Sequence, residues 1–272
     1  MHVLTIRRKW APLICALASA PCVLCAQPAA AVTPEIGDVD SVPDRTSISF
    51  HHSATGFHAG TANEHESRPG LSIVKLYIAD FVLAHGDEAE KVKALHMLRV
   101  SDDGIADELY AAHPESITAT AHAYGLADTH DDGGYWGGGG TATTSTFDAA
   151  RFLEERKNTH GLEDPLLQAL ATAAPVAADG YGQDFGTAQL PGVIGTKWGW
   201  SNDHSLHASA SFGEDFTVAA HTNGGKEQLT DDVRAAFGEG AEGDAAEGIE
   251  GLDRLDGLDS VDGLADVLRG TL

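Results

Sequence analysis

The chain has 272 residues, enough for one sizeable hydrophobic core. Asp and Glu number 41 against 17 Lys and Arg, giving a formal net charge of −24. That excess excludes a nucleic-acid backbone as partner, because phosphates must be neutralised by Lys and Arg, and it opposes docking on an anionic bilayer.

The first segment reads as a secretory signal peptide, residues 1–31. Arg7, Arg8 and Lys9 precede an apolar run from Trp10 to Ala26, and Ala29, Ala30 and Ala31 supply small residues for cleavage. The run is short and broken by Pro12 and Pro21, so no membrane span is expected. Cys15, Cys22 and Cys25 all lie inside this leader, and the residues before Cys22 and Cys25 fit a lipidation site poorly. The mature protein is therefore expected without a disulfide and outside the cytoplasm, secreted or associated with the cell wall. Residues 32–44 are polar, with Pro34 and Pro43, and read as a linker.

From Arg45 to His52 the side chains alternate with period two, and Thr55 to Thr61 returns after a turn, which predicts a β-hairpin. Helices are expected from Ser72 to about His85, where Gly86 ends the run, and from Asp87 to Val100. Ser101-Asp102-Asp103 stands where it would cap a third helix, Ile105 to His113. Tyr124 to Thr143 is a glycine-rich loop, followed by helices reaching Lys157 and spanning Pro165 to Ala174. Strands follow over Gly192 to Trp200, His204 to Phe212 and Phe216 to His221, then a helix from Gln228 to Phe237. Residues 239–272 form an acidic, glycine-rich tail whose spaced leucines allow a transient amphipathic helix, although its glycines and like charges favour a solvated segment. Strands at both ends with helices between predict an α+β domain, its N- and C-terminal strands sharing one antiparallel sheet.

Ser72 and Lys75 form an S-x-x-K pair behind a Pro-Gly break, one turn apart, so a neutral lysine amine can serve as base to the serine hydroxyl. Downstream stand Ser101-Asp102-Asp103 and Lys197-Trp198-Gly199. In order and context these match the S-x-x-K, S-D-N and K-T-G elements of the penicillin-recognising serine enzymes. The chain thus resembles the serine β-lactamase and D,D-peptidase superfamily, most nearly the class A β-lactamases, over about Arg45 to Phe237. We take 45–238 as a β-lactamase-like domain.

The resemblance implies that Ser72 attacks a lactam or D-Ala-D-Ala carbonyl, Lys75 takes its proton and Ser101 relays that proton toward the leaving nitrogen. Lys197, Asp103, Gly199 and Trp200 are implied as substrate-binding positions, with the N–H groups of Ser72 and of the strand near Trp200 as oxyanion hole. The expected partner is a β-lactam or a peptidoglycan peptide, the expected state a monomer, and no cofactor is expected. Three departures accompany this. Asp103 replaces an Asn, and an anion there favours the protonated form of a neighbouring lysine unless Asp103 is protonated or paired with Lys197. Trp198 replaces a Thr and is expected to crowd the cleft, and the flanking Thr196 and Ser201 offer no obvious substitute. The loop Gly125 to Thr143 holds Asp128, Asp131 and Asp132 but no Glu to activate a hydrolytic water, so an acyl-enzyme should persist. Ser72 and Ser101 also stand closer than in class A enzymes, as if a helical segment were missing. These departures keep open a second reading, a catalytically degenerate binding protein of the same fold.

The 14 histidines match no spacing that fixes zinc or calcium, so no metal site is expected. The Gly137 to Gly140 run lacks the following Lys-Ser/Thr of a phosphate loop. Trp136, Trp198 and Trp200 read equally as core or as cleft lining.

Overall fold

The computed structural model describes residues 32–131 and 142–237. The leader, the acidic tail and most of the glycine-rich loop, with Asp132 and Trp136, lie outside them. The hairpin is β1 (Thr46–His52) and β2 (Phe57–Gly60), and a short β3 (Arg68–Pro69) leads to a 3-10 turn at Leu71–Val74. Four helices follow: α1 (Lys75–His85), α2 (Glu88–Val100), α3 (Asp103–Ala112) and α4 (Ser116–Tyr124). A two-residue β4 (Thr143–Thr144) precedes α5 (Thr146–His160) and α6 (Pro165–Ala171). Strands β5 (Val193–Trp200), β6 (His207–Gly213) and β7 (Phe216–Thr222) and helix α7 (Lys226–Phe237) complete the chain.

One antiparallel sheet in the order β2-β1-β7-β6-β5 joins the two ends of the sequence, with Thr46 opposite Thr222. Successive side chains of a strand face opposite ways, so the sheet serves two cores. Ala208, Ala210, Phe212 and Ala219 face the helical layer, while Phe50, Trp198, Phe216 and Val218 pack with Leu229, Val233 and Phe237 of α7. Helix α1 is apolar on nearly every side, with Leu76, Tyr77, Ile78, Ala79 and Val82 buried, as a helix surrounded by others requires. Its one buried acid, Asp80, accepts hydrogen bonds from Tyr124 and Arg156, and Arg156 also pairs with Asp164.

Asp87 closes a capping box with Glu90 at the start of α2, Ser145 caps α5 and Asp164 caps α6, each cap worth about 1 kcal/mol. Two expectations change. Residues 32–44 are packed rather than free: Ile36, Val39 and Val42 join the α7 core and Gly37 N–H donates to Ala236. Helix α4 was not expected, because Ser116–Tyr124 carries alternating Thr and Ala without a clear apolar stripe, and tertiary burial of Ile117 and Ala121 supplies what propensity lacks.

Candidate active site

The approach to Ser72 is held from several directions. Arg68 donates to the carbonyls of Arg45 and His221, Pro69 accepts from the His221 ring, and Gly70 N–H donates to Ala142. Leu71 then takes φ 51°, a left-handed conformation costing a non-glycine residue about 1–2 kcal/mol. The strain sits immediately before the serine, where it turns the chain into the 3-10 turn. In such a turn residues i and i+3 eclipse, and Lys75 N–H donates to the Ser72 carbonyl, so both side chains leave the same face.

Ser101 ends α2 with φ 55° and ψ 37°, another left-handed residue, while Asp102 caps α3 by accepting from Ile105 N–H. The triplet thus serves as helix cap and as site element together. Lys75, fully buried, donates from Nζ to the Ser101 carbonyl at 2.6 Å and to Asp103 Oδ1 at 2.6 Å, with Ser101 Oγ at 3.4 Å. Lys197, also fully buried, reaches across from β5 and donates to Ser101 Oγ at 2.7 Å and to the Trp198 carbonyl at 2.8 Å. Two lysines from different walls therefore converge on one serine hydroxyl.

Burial pushes the Lys75 amine below its ordinary value, against the pull of Asp103, Asp102 and Asp179. For Lys197 burial and the neighbouring Lys75 charge act together and take it well below. Asp103 is thus paired with Lys75 rather than Lys197, and its side chain stays two-thirds open, 66 %.

On β5, Lys197 stands opposite Ala210 and Gly199 opposite Ala208, which puts both on the helical face. A Cβ on Gly199 would stand 2.8 Å from Leu71 Cβ and 2.9 Å from Ser72 N, so only glycine lets the strand lie against the serine turn. Ser201 N–H donates back to Leu206 on the β6 side. Donors alternate along a strand, so the Trp200 N–H faces the open edge of the sheet.

Solved structures share this architecture. The β-lactamase from Streptosporangium roseum aligns with a TM-score of 0.57 and 17 % identity, over 71 % of this chain and 91 % of that one. The fold is that of the serine β-lactamases and penicillin-binding proteins. PBP-A aligns at 0.56 with 16 % identity, over 71 % of this chain and 88 % of its own. D-alanyl-D-alanine carboxypeptidase of Mycobacterium tuberculosis H37Rv aligns at 0.50 with 18 % identity, over 77 % and 93 %. No protein-family model matches the sequence, and no curated protein does.

Within the β-lactamase fold, Trp198 does not crowd the cleft. Its indole lies in the α7 core, 7 % exposed, donating to the Phe185 carbonyl at 3.0 Å. Thr196 is bound to Ser211 and Ser201 to Asp203, so neither hydroxyl is free to take the place of the threonine that the resemblance implies. The Trp200 ring is on the α7 face too, donating from Nε1 to Asp179 Oδ2 at 3.0 Å. Asp128 is engaged by His65 and Ser145, and Asp131 accepts from Tyr110. Among the described residues no group of three or more His, Cys, Asp or Glu is placed to hold a metal ion, and no helix is long and apolar enough to cross a membrane.

The sequence reading missed Asp179. It sits at the tip of a small hairpin, with a Val176–Gly182 bridge and Gly180 at φ 89°. Ala174 and Ala178 N–H donate to Arg99 and Val100, just before Ser101. Asp179 therefore links the wall that carries Ser101 to the wall that carries Gly199, and no local motif signals it.

Proposed function

We propose that this protein is a serine acyl-transferring enzyme of the penicillin-binding type, acting as a monomer outside the cytoplasm on β-lactams or cell-wall D-Ala-D-Ala peptides. One observation carries the reading: two buried lysines, both held toward the neutral form, converge on Ser101 beside the Ser72 turn. Ser72 Oγ bonds to the acyl carbon while Lys75 accepts the hydroxyl proton. The negative oxygen is received by the N–H groups of Ser72 and Trp200, each such donor contributing about 3–4 kcal/mol. Ser101, steadied by Lys197, passes a proton to the leaving nitrogen as the C–N bond breaks. With no Glu in the loop Gly125 to Thr143 to activate water, the acyl-enzyme is long-lived.

A second reading, a catalytically degenerate binding protein of the cell envelope, is favoured by Asp103 alone, whose carboxylate on Lys75 supports the protonated amine. Intact-mass spectrometry with a penicillin separates the two. The enzyme reading expects an adduct of one lactam on the mature protein that is missing in Ser72→Ala. An unchanged mass, together with no hydrolysis of a chromogenic lactam, would overturn it in favour of the binding protein.

A further inference from the structure

Behind the serine turn lies a small cavity walled by β1 and β7 of the sheet, by Arg68 and Ile73 on either side of the serine, and by Ala149 of α5. It leaves about 10 Å³ for the centre of a water molecule, which is room for one. Ser47 and His221 stand opposite each other in the β1–β7 register, so both side chains leave the same face of the sheet, and both line this cavity. Ser47 is fully buried and His221 only 5 % exposed. Yet Ser47 Oγ and His221 Nδ1 have no hydrogen-bond partner among the described residues, a condition that native interiors avoid.

The other nitrogen of His221 fixes the tautomer. Nε2 lies 3.1 Å from the Pro69 carbonyl, which can only accept, so Nε2 carries the proton. Nδ1 is then a bare acceptor that needs an O–H or N–H aimed at it. Among the described side chains around the cavity, none has a donor to spare. Arg68 spends its guanidinium on Glu66 and on the carbonyls of Asp44, Arg45 and His221. Thr144 is engaged with Tyr77 and Thr129, Ser145 donates to Asp128, and Thr146 donates to the Glu64 carbonyl. Ser47 does not reach the ring directly.

We propose that this cavity binds one ordered water, which donates to His221 Nδ1 and pairs with Ser47 Oγ, and that the ring so held is a positioning residue for the nucleophile. One water satisfies both orphaned atoms at once, giving one hydrogen to the nitrogen and sharing its second hydrogen bond with the hydroxyl. The contacts run from the water through the ring to the Pro69 carbonyl, two residues before the left-handed Leu71 that leads into Ser72. The water half stands apart from the acyl-transfer reading above; the positioning half rests on it.

The water is tested by nitrogen NMR of the mature protein carrying isotopically labelled histidine. The signals that vanish in His221→Gln identify the His221 ring. Its Nδ1 should show the shift of an unprotonated, hydrogen-bonded nitrogen, and its ring protons should show nuclear Overhauser contacts with a long-lived water. In Ser47→Ala, which removes one of the water's partners, the Nδ1 shift should move toward the unbonded value. An Nδ1 that is free in the native protein, one bonded without water contacts, or one indifferent to Ser47→Ala overturns the bridging water. Positioning is tested by pre-steady-state acylation of Ser72 with a penicillin, resolved into a binding constant and an acylation rate constant. His221→Leu, of similar volume but without polar atoms, should lower the rate constant about tenfold and leave the binding constant within about twofold. His221→Gln keeps an N–H for Pro69 and an oxygen for the water, and should recover most of that loss. Ser47→Ala, a milder change, should lower the rate constant about threefold. Circular dichroism checks that the variants are folded. Equal rates in the Leu and Gln variants, no slowing in Ser47→Ala, or a loss confined to binding overturns the positioning role. If no penicillin acylates Ser72, the enzyme reading falls and the positioning half with it, while the histidine spectra still decide the water.

Discussion

Lys75 is caught between two opposing influences, and Asp103 decides how far it departs from an ordinary lysine. Burial lowers the amine pKa and the Asp103 carboxylate raises it, with burial the larger. Replacing Asp103 by Asn keeps an oxygen for the Nζ bond and removes the charge. The Lys75 pKa should then fall further, the neutral fraction at pH 7 should rise, and acylation by a penicillin should quicken about three- to tenfold, one pKa unit being a factor of ten. Pre-steady-state acylation against pH checks this. The rising limb should move to lower pH, and a limb that stays put or moves upward would show that Asp103 does not govern the base. Leu71, with its left-handed backbone, and Gly199, with no room for a Cβ, bracket the same serine from either side, so the turn is set by backbone constraints independent of the titrating groups.

At the scale of elements, strand β5 has two faces with separate duties. Lys197 and Gly199 serve the site, while Trp198 serves the α7 core. Trp198→Thr should therefore cost about 3 kcal/mol, because it removes a nearly buried indole and leaves its cavity. Chemical denaturation of the variant measures the loss, and a change under 1 kcal/mol would mean the α7 core collapses around the gap. This division was half legible in sequence. Strand alternation separates Trp198 from Lys197 and Gly199, but it does not say which face meets which layer. The helices around Leu95 and Leu98, the three final strands and the S-x-x-K turn were readable because each depends on neighbours within one or two turns. Ile36, Val39 and Val42 were not, since three spaced apolar residues among prolines look solvated until α7 covers them. The Trp200–Asp179 bond joins positions with no shared periodicity and leaves no local trace.

Across the whole molecule, acid is the condition to which this fold is most exposed. Burial lowers both His51 and His221 from the usual 6.5 to about 4. Between those values the unfolded chain binds protons that the folded one refuses, so the stability is complete above about pH 6.5 and is lost as pH falls toward 4. His221 also supports the site, since its ring contacts the Pro69 carbonyl before the serine turn. Gln at 221 retains an N–H for Pro69 and does not titrate. Thermal or urea unfolding between pH 4 and 7 should show the acid loss shrinking by about 3 kcal/mol in His221→Gln. An unchanged profile would place the acid sensitivity elsewhere.

The pairing of β1 with β7 has a consequence in time as well as in space. Thr46 Oγ1 bonds to Thr222 Oγ1 across 176 residues of sequence. The nascent chain emerges with its first hairpin lacking a partner, and the central strand pairing cannot form until the ribosome has released nearly the whole domain. Such a polypeptide stays without its central sheet, and so remains threadable, until β7 has been made.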